Sequence, residues 1–334
     1  MNKKKILIYL FLVTSISLIV TIIFNWYIGI ILFLLLSLRI GMYVANHFIK
    51  KTAIYRSYWG GADKFWTKIP FNLEFVNLGS NSACHAFHYA DKSKGMNWAI
   101  GPQSLQHDFN ILKNYFSYIQ EGGFVIITLC PFSCLDSSYS KATNLKYYTF
   151  LHPRMVINFE EKERTKALKA QQKPILHIPL FLIKSCINTI KTKIKNSIQP
   201  HKDFDTQANI FINAWKNQFG ISNLEIPLST THTGEQKQKS KLLTGIIDFC
   251  KERNLNPILV IPPIHPTLSN KFSDAFVQNY IYNFIEQSDR NIPFYNFMNS
   301  TLFMNDSFYE NPFFMNQKGA KVFTQELIKE IKKR

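Results

Sequence analysis

Residues 6–38 carry no charged side chain, and this apolar stretch is the strongest constraint on how the chain can fold. As one helix it would be roughly 50 Å long, whereas the hydrocarbon core of a membrane is roughly 30 Å thick. The interruption Asn25-Trp26-Tyr27-Ile28-Gly29 is typical of a turn at headgroup level. The pattern predicts a transmembrane hairpin within an anchor over 1–51, with helices near 6–24 and 28–48. The stretch lacks a signal-peptide cleavage site, so we expect it to stay attached.

The basic residues around this stretch predict its orientation. Residues 3–5 are lysines, as are residues 50 and 51, whereas the connecting turn has no basic residue. By the positive-inside rule, both ends and the soluble domain lie in the cytoplasm, at the inner (cytoplasmic) membrane. Arg39 favours an alternative, because a cation is costly in the middle of a span. If the second segment only lies in the interface, the remaining chain is extracytoplasmic.

The charge balance points to an anionic partner. The chain has 39 Lys and Arg against 22 Asp and Glu, a formal charge of +17. Lipid headgroups and nucleic acid both fit this charge, but no nucleic-acid recognition motif accompanies it. We therefore expect membrane lipid as a partner and no nucleic acid. Five scattered cysteines are typical of reduced core residues, and neither a metal site nor a cofactor is predicted.

From residue 70 onward, short apolar runs alternate with segments of helical spacing. The runs lie at 73–78, 97–100, 124–129, 257–261 and 293–297. Such alternation predicts a doubly wound α/β domain with a parallel sheet. The domain is predicted to comprise 70–134 and 233–334.

Residues 135–232 interrupt this alternation and are predicted to form a mainly helical insertion. Isoleucines recur there at steps of three and four, whereas lysines occupy other faces. The isoleucines are at positions 183, 187, 190, 194 and 198. The spacing predicts a basic amphipathic helix. This helix either packs its isoleucines on the domain or rests on anionic lipid near the anchor, as a peripheral lipid-binding element.

The apolar run 73–78 stops at Gly79-Ser80-Asn81-Ser82, and a helix is predicted to follow. In parallel α/β sheets, ligands bind outside the carboxyl ends of the strands, where backbone N–H groups converge. A serine in such a turn can act as a nucleophile. Alternatively, Gly79 serves a tight turn, and Ser80 or Ser82 caps the helix.

Three blocks of sequence resemble the SGNH (GDSL-like) hydrolase superfamily, within residues 71–134 and 240–330. The blocks are NLGSNSA after a strand, GMNWAIGPQSL leading into a helix, and NPFFMNQKGAKVFT before the terminal helix. They are similar to the membrane-anchored branch that serves cell-envelope polysaccharides, including the D-alanine transfer proteins of teichoic acid. The resemblance implies an SGNH-like, flavodoxin-resembling fold with a three-layer parallel sheet. It also implies acyl-ester transfer or hydrolysis on a cell-envelope glycan, with an acyl donor as a further partner.

The residues that carry the family's chemistry are changed in this chain. The family has a serine at the third position of the first block and a closing Asp-x-x-His as orienter and base. The corresponding residues here are Asn81, Asn311 and Phe314. An amide and a phenyl ring cannot remove a serine proton, so the ordinary triad cannot operate.

Two hypotheses therefore remain open. In the first, the chain is a serine esterase or acyltransferase in which His265, with Asp306 as its partner, activates a serine of the turn. The predicted catalytic residues are then Ser82, Ser80, His265 and Asp306, and the predicted substrate-binding residues are Gly79, Asn81, Asn97 and Asn316. In the second, the chain is a non-catalytic SGNH-like binding or scaffold protein that works with membrane glycan-assembly proteins.

Overall fold

The computed structural model describes residues 3–23, 26–90, 94–135, 144–198, 203–225, 227–289 and 291–333. In chain order the helices are α1 (Lys3–Ile23), α2 (Trp26–Ile49), α3 (Ala53–Tyr58), α4 (Asn81–Ala86), α5 (Leu105–Tyr115), α6 (Glu161–Gln172), α7 (Pro174–His177), α8 (Pro179–Ile198), α9 (Phe204–Phe219), α10 (Thr230–Lys251), α11 (Pro266–Ser269), α12 (Asp274–Phe276), α13 (Asn283–Ser288) and α14 (Gln317–Lys332). The strands are β1 (Leu73–Leu78), β2 (Gly95–Asn97), β3 (Ile119–Thr128), β4 (Asn256–Ile261) and β5 (Phe294–Asn296). A π-helical turn, Val277–Tyr282, joins α12 to α13.

The chain divides into two compact units. The first comprises residues 1–59 and 160–195, and the second comprises 60–159 and 196–334. The region predicted as an insertion is shared between them, because its middle belongs to the first unit and its two ends belong to the second.

The apolar segment of the first unit forms α1 and α2, which lie against each other. α2 has 24 residues and a mean hydropathy of 2.2. Within the described residues, it is the one helix long and apolar enough to cross a membrane. α2 begins at Trp26, so most of the predicted turn is helical instead. Gly29 permits the close approach of the two helices, because a Cβ there would lie 1.8 Å from Thr21 Oγ1.

The C-terminal end of α2 is joined to the second helical segment of the first unit by hydrogen bonds. The Asn46 side chain accepts the backbone N–H of Ile175 at 3.0 Å. The Tyr55 hydroxyl, on a buried ring of α3, donates to the Gln171 carbonyl at 2.8 Å. The segment from α6 to α8 is therefore held where the apolar helix ends.

The second unit is built on a five-stranded, all-parallel sheet with the order β2-β1-β3-β4-β5. This sheet confirms the predicted α/β class. The β3 residues Val125 to Ile127 are fully buried, as their uninterrupted apolar run indicates. β2 is displaced from the predicted 97–100 to Gly95–Asn97. Beyond Asn97 the N–H groups of Trp98 and Ile100 still donate to the carbonyls of Asn77 and Gly79, whereas the Ala99 carbonyl accepts a hydrogen bond from Lys64.

Helices cover both faces of the sheet. On one face, residues of α4 and α14 join a buried cluster that includes Phe75, Ile126 and Val260 of the strands. Side chains alternate along a strand, so Val125 and Ile127 point to the opposite face. There α5 and α10 pack against each other, and α10 packs against β4.

The strand order places a topological reversal between β1 and β3. From β1 the chain crosses outward to β2 and then returns past β1 to β3. Ligands of open α/β sheets bind at such a reversal, outside the carboxyl ends of the strands. The residues that follow β1 and β3 therefore frame the expected site.

Candidate functional site

The turn after β1 is held in one conformation by close packing. Gly79 has φ +130°, and a Cβ there would lie 2.8 Å from Ala83 Cβ and 2.9 Å from Thr128 Cβ. A side chain is therefore excluded both by backbone conformation and by space. Ser80 precedes α4, and its Oγ accepts the backbone N–H of Gln103 at 3.0 Å. The turn is thus tied to the loop that leads into α5.

A cavity of about 230 Å³ lies beside this turn. Its polar lining residues include Ser80, Asn81, Ser82, Gln103, Ser104, Asp108, Thr128, Cys130, Ser133, Gln218 and Lys239. Four aromatic side chains, which we call the aromatic wall, line it as well: Phe132, Trp215, Phe219 and Phe313. Two of these come from α9, so the predicted insertion contributes to the site. The volume is smaller than the roughly 300–1,000 Å³ typical of pockets for drug-sized ligands, which indicates a small ligand or one segment of a larger one.

Asp108 is the carboxyl group of the cavity, and it is nearly inaccessible, with 2% exposure. Its Oδ1 accepts the Gly79 N–H at 2.7 Å and also accepts the side-chain amide of Gln103. Burial raises the pKa of Asp108 to about 7, although both hydrogen bonds act to lower it. The carboxyl group therefore changes charge near neutral pH.

Two buried oxygen atoms of residues that line the cavity are unpaired in the part of the chain that the structure describes. Within the described residues, neither Gln103 Oε1 nor Thr128 Oγ1 has a hydrogen-bond partner. An unpaired buried polar atom costs about 1–3 kcal/mol, so these atoms favour a bound ligand or water. A ligand with hydroxyl groups can donate to Gln103 Oε1 and pair with Thr128 Oγ1.

Two lysines position the loop that forms one side of the cavity. Lys64 Nζ donates to the Ala99 carbonyl at 2.6 Å. Lys146 Nζ donates to the carbonyls of Gly101 and Pro102, at 2.8 and 2.6 Å. Burial lowers the pKa of both ammonium groups, that of Lys146 to about 7. The Gly101–Pro102 peptide bond within this loop is cis.

The predicted pair of His265 and Asp306 forms, but neither residue lines the cavity. His265 Nε2 lies 3.0 Å from Asp306 Oδ1. Its Nδ1 accepts the backbone N–H of Thr267 at 3.3 Å, so the imidazole caps α11. Because Nδ1 accepts, Nε2 carries the hydrogen and donates to the carboxylate. No ring nitrogen is left to accept a serine proton, so this geometry does not support the predicted activation of a serine.

The other predicted residues divide into those at the cavity and those used elsewhere. Gly79, Ser80, Asn81 and Ser82 all line the cavity. The side-chain amide of Asn97 instead donates to the carbonyls of Ala83 and Phe87, which fixes α4 to β2. Asn316 caps α14 by accepting the Gly319 N–H at 3.0 Å.

The positions that correspond to the family's closing Asp and His also serve the local fold. Asn311 Oδ1 accepts the backbone N–H groups of Phe313 and Phe314. The Phe314 ring stacks on His85, with centroids 4.6 Å apart. Neither residue lines the cavity, whereas the intervening Phe313 does.

The groups of a reactive nucleophile are not found at the turn after β1. None of the histidines in the described part of the chain lines the cavity, so no imidazole base faces Ser80 or Ser82. Ser104, which also lines the cavity, does have an imidazole partner, because its Oγ lies 2.8 Å from Nδ1 of the buried His107. Burial raises the pKa of the Cys130 thiol, which therefore remains neutral rather than a reactive thiolate. No group of three His, Cys, Asp or Glu side chains suited to a metal ion occurs among the described residues.

Sequence reasoning missed Gln103, Thr128 and the aromatic wall as parts of the site. Asp108 is recognisable in the sequence as an acidic residue near the predicted edge of the sheet. An acid in the first turn of α5 is explained equally well by the helix dipole, however. Thr128 is the last residue of the buried strand β3. Because sites of α/β proteins form at strand ends, its position could have predicted a place in the site. No comparable local signal marks Trp215 and Phe219, which reach the cavity from α9.

These observations define a parallel α/β protein with a polar and aromatic cavity at the carboxyl ends of its strands, and with an apolar N-terminal helix. No protein-family model matches the chain. A search of curated proteins likewise returns no match.

Proposed function

We propose that the chain is a membrane-anchored protein of cell-envelope polysaccharide synthesis or modification, whose cavity binds a hydroxyl-rich glycan segment without hydrolysing it. The observation that carries this proposal is the composition of the cavity. Hydroxyl, amide and carboxyl groups face an aromatic wall, and no described histidine joins them. The similarity of the three sequence blocks to SGNH hydrolases of envelope polysaccharides supports the choice of substrate class.

The cavity groups suit the two chemical surfaces of a sugar. Thr128 Oγ1 and Gln103 Oε1 can satisfy hydroxyl groups of the ligand, and Asp108 can accept one when ionised. Trp215 and Phe219 offer flat apolar faces for the C–H groups of a ring. Binding of this kind needs no proton transfer, which agrees with the lack of a histidine among the described lining residues.

The membrane part of the proposal rests on α2. Its length and hydropathy fit the hydrocarbon core, and many of its apolar side chains are exposed, Leu34 and Leu38 among them. Packing of α1 against α2 supports the hairpin, and the lysines at both outer ends support cytoplasmic termini.

Isosteric removal of one cavity hydroxyl tests glycan binding. Full-length protein in detergent would be titrated with acetylated and unmodified envelope oligosaccharides, with binding followed by saturation-transfer NMR. We expect Thr128→Val to weaken binding by about 5- to 10-fold, because the ligand loses one buried hydrogen bond. Thr244→Val is the matched control, because its hydroxyl donates to the carbonyls of Ser240 and Ser288 away from the cavity. Equal binding by both variants would contradict the assignment of this cavity.

Acyl-ester transfer or hydrolysis is the second candidate. It is favoured by the placement of Ser80 and Ser82 at the cavity, together with an acid whose pKa is about 7. A fluorophosphonate probe separates the two candidates, because it reacts with an activated serine but not with a passive one. Binding without catalysis predicts no labelling. Labelling that is lost in Ser82→Ala or Ser80→Ala would establish the serine enzyme instead.

A further inference from the structure

Helix α8 exposes a continuous apolar stripe. The stripe consists of Leu176 in α7 and Leu180, Ile183, Ile187 and Ile190 in α8. Their exposures lie between 46% and 72%, so the first unit does not bury them. In the first turn of α8 the Phe181 ring packs edge to face on Tyr58, with ring centroids 4.8 Å apart.

Basic side chains border this stripe. At 3.6 residues per turn, Lys184 and Lys191 lie along one edge of it, and both are exposed. α8 contains no acidic residue over Pro179–Ile198. The stripe has the four-three spacing of a coiled-coil seam, but a second copy would bring lysines against lysines without acidic partners. The charge therefore favours an anionic surface over self-association.

The stripe begins at the end of the apolar helix. The Asn46 side chain of α2 accepts the Ile175 N–H, one residue before the first leucine of the stripe. α2 ends at Ile49, and Lys50 and Lys51 follow. In a membrane, that end of a spanning helix lies at headgroup depth. The stripe thus starts at the level where an amphipathic helix meets lipid.

We infer that α8 is an interfacial helix that lays its apolar stripe into the anionic lipid surface of the membrane that α2 crosses. The leucines and isoleucines enter the boundary of the acyl chains, and the lysine stems reach back to phosphate groups. The inference rests on the anchoring role proposed for α2 and is independent of what the cavity binds.

Depth-dependent fluorescence tests this inference in the full-length protein. The parent protein would carry Cys186→Ser. Each labelled variant would add one cysteine for an NBD label: Ile187→Cys in the stripe, Thr189→Cys on the polar side, or Leu34→Cys in α2. Each protein would be reconstituted at one copy per nanodisc, in phosphatidylglycerol-containing or pure phosphatidylcholine membranes, and quenched with brominated lipids. The unsubstituted parent gives the background from the remaining cysteines.

We expect severalfold stronger quenching at position 187 than at 189 in phosphatidylglycerol nanodiscs. This difference should shrink with high salt, in phosphatidylcholine, and on adding Lys184→Glu with Lys191→Glu. Quenching at position 34 but equal, weak quenching at 187 and 189 would overturn the interfacial helix while leaving the anchor intact. Absence of quenching at position 34 would overturn the anchor and the inference with it. In a second preparation with two copies per disc, a change in NBD fluorescence at position 187 that does not depend on the lipid would overturn the inference and assign the stripe to self-association.

Discussion

Asp108 and Asp306 each have a close hydrogen-bond partner, yet the two carboxylates occupy opposite environments. Asp108 is 2% exposed and lies at the cavity with two donors and a raised pKa. The side chain of Asp306 is 81% exposed and meets His265 away from the cavity. His265 and Asp306 are residue types typical of a catalytic pair, but both ring nitrogens of His265 already take part in hydrogen bonds within the fold. Asp108 instead lies at the cavity with the unpaired oxygens of Gln103 and Thr128. Position and hydrogen-bond saturation, rather than residue type, therefore identify the site.

The largest expected effect is the difference in the free energy of unfolding between variants that lack one or the other carboxylate. At pH 6, Asp108→Ala should lower the free energy of unfolding by about 2 to 4 kcal/mol, because two buried donors lose their acceptor. Asp306→Ala should cost at most about 1 kcal/mol, as expected when a mostly exposed carboxylate loses one hydrogen bond. Thermal unfolding of the full chain in detergent measures both. Similar losses in the two variants would refute the contrast.

The pH dependence of stability should follow three buried groups, Asp108, Lys146 and His107. The pKa of Asp108 is raised from its usual 3.8 to about 7. Between these values the folded protein binds more protons than the unfolded chain, so this group's contribution to the free energy of unfolding falls as pH rises. The pKa of Lys146 is lowered from 10.5 to about 7. Above pH 7 the unfolded chain binds more protons, so stability rises with pH.

Burial also lowers the pKa of His107 from 6.5 to about 4, so between these values the unfolded chain binds more protons and this group's contribution rises with pH. The rise offsets the fall from Asp108, so stability should change little from pH 4 to 6.5 and rise above pH 7, and unfolding curves from pH 4 to 10 would show it. Asp108→Asn should uncover the rise below pH 6.5, and Lys146→Met should flatten the limb above pH 7. A profile that neither substitution alters would contradict these assignments.

Loosening the cavity loop should have an intermediate effect. Lys146→Met removes the donor that the carbonyls of Gly101 and Pro102 share, although Pro102 keeps the Tyr147 hydroxyl, and it should cost about 1–3 kcal/mol of stability. Oligosaccharide binding should weaken as well, because Gln103 follows directly in the chain. The exposed Lys237→Met on α10 is the control. Unchanged binding by Lys146→Met would show that the lysine supports the fold without positioning the site.

The smallest effect should have the opposite sign. Thr128→Val removes a buried hydroxyl that has no partner in the described residues, and it should raise the free energy of unfolding by up to about 1 kcal/mol. The same variant is expected to bind oligosaccharide less well. A gain in stability together with a loss of binding marks a polar group kept for a ligand. Destabilisation by Thr128→Val would indicate that its hydroxyl supports the fold.

Much of the framework could be predicted from local patterns. Uninterrupted apolar runs such as Val125 to Ile127 predicted buried parallel strands, because such strands contact helices on both faces. Gly79 and the serines after β1 predicted a ligand-facing turn. The aromatic wall could not be predicted in the same way, because Trp215 and Phe219 reach it from α9, which is distant in sequence from the strands that form the cavity.

By itself, the sequence determined the apolar N-terminal helix, the parallel α/β class and the turn at Gly79, since each depends on residues close together in the chain. That Asn311 and Phe314 stand in place of a catalytic Asp and His stays a prediction from the resemblance of the three sequence blocks. Only the tertiary structure decided that His265 caps α11, that Asp108 accepts the Gly79 N–H, and that α8 leaves its stripe uncovered. Burial and hydrogen-bond saturation depend on neighbours distant in sequence, and local patterns do not encode them.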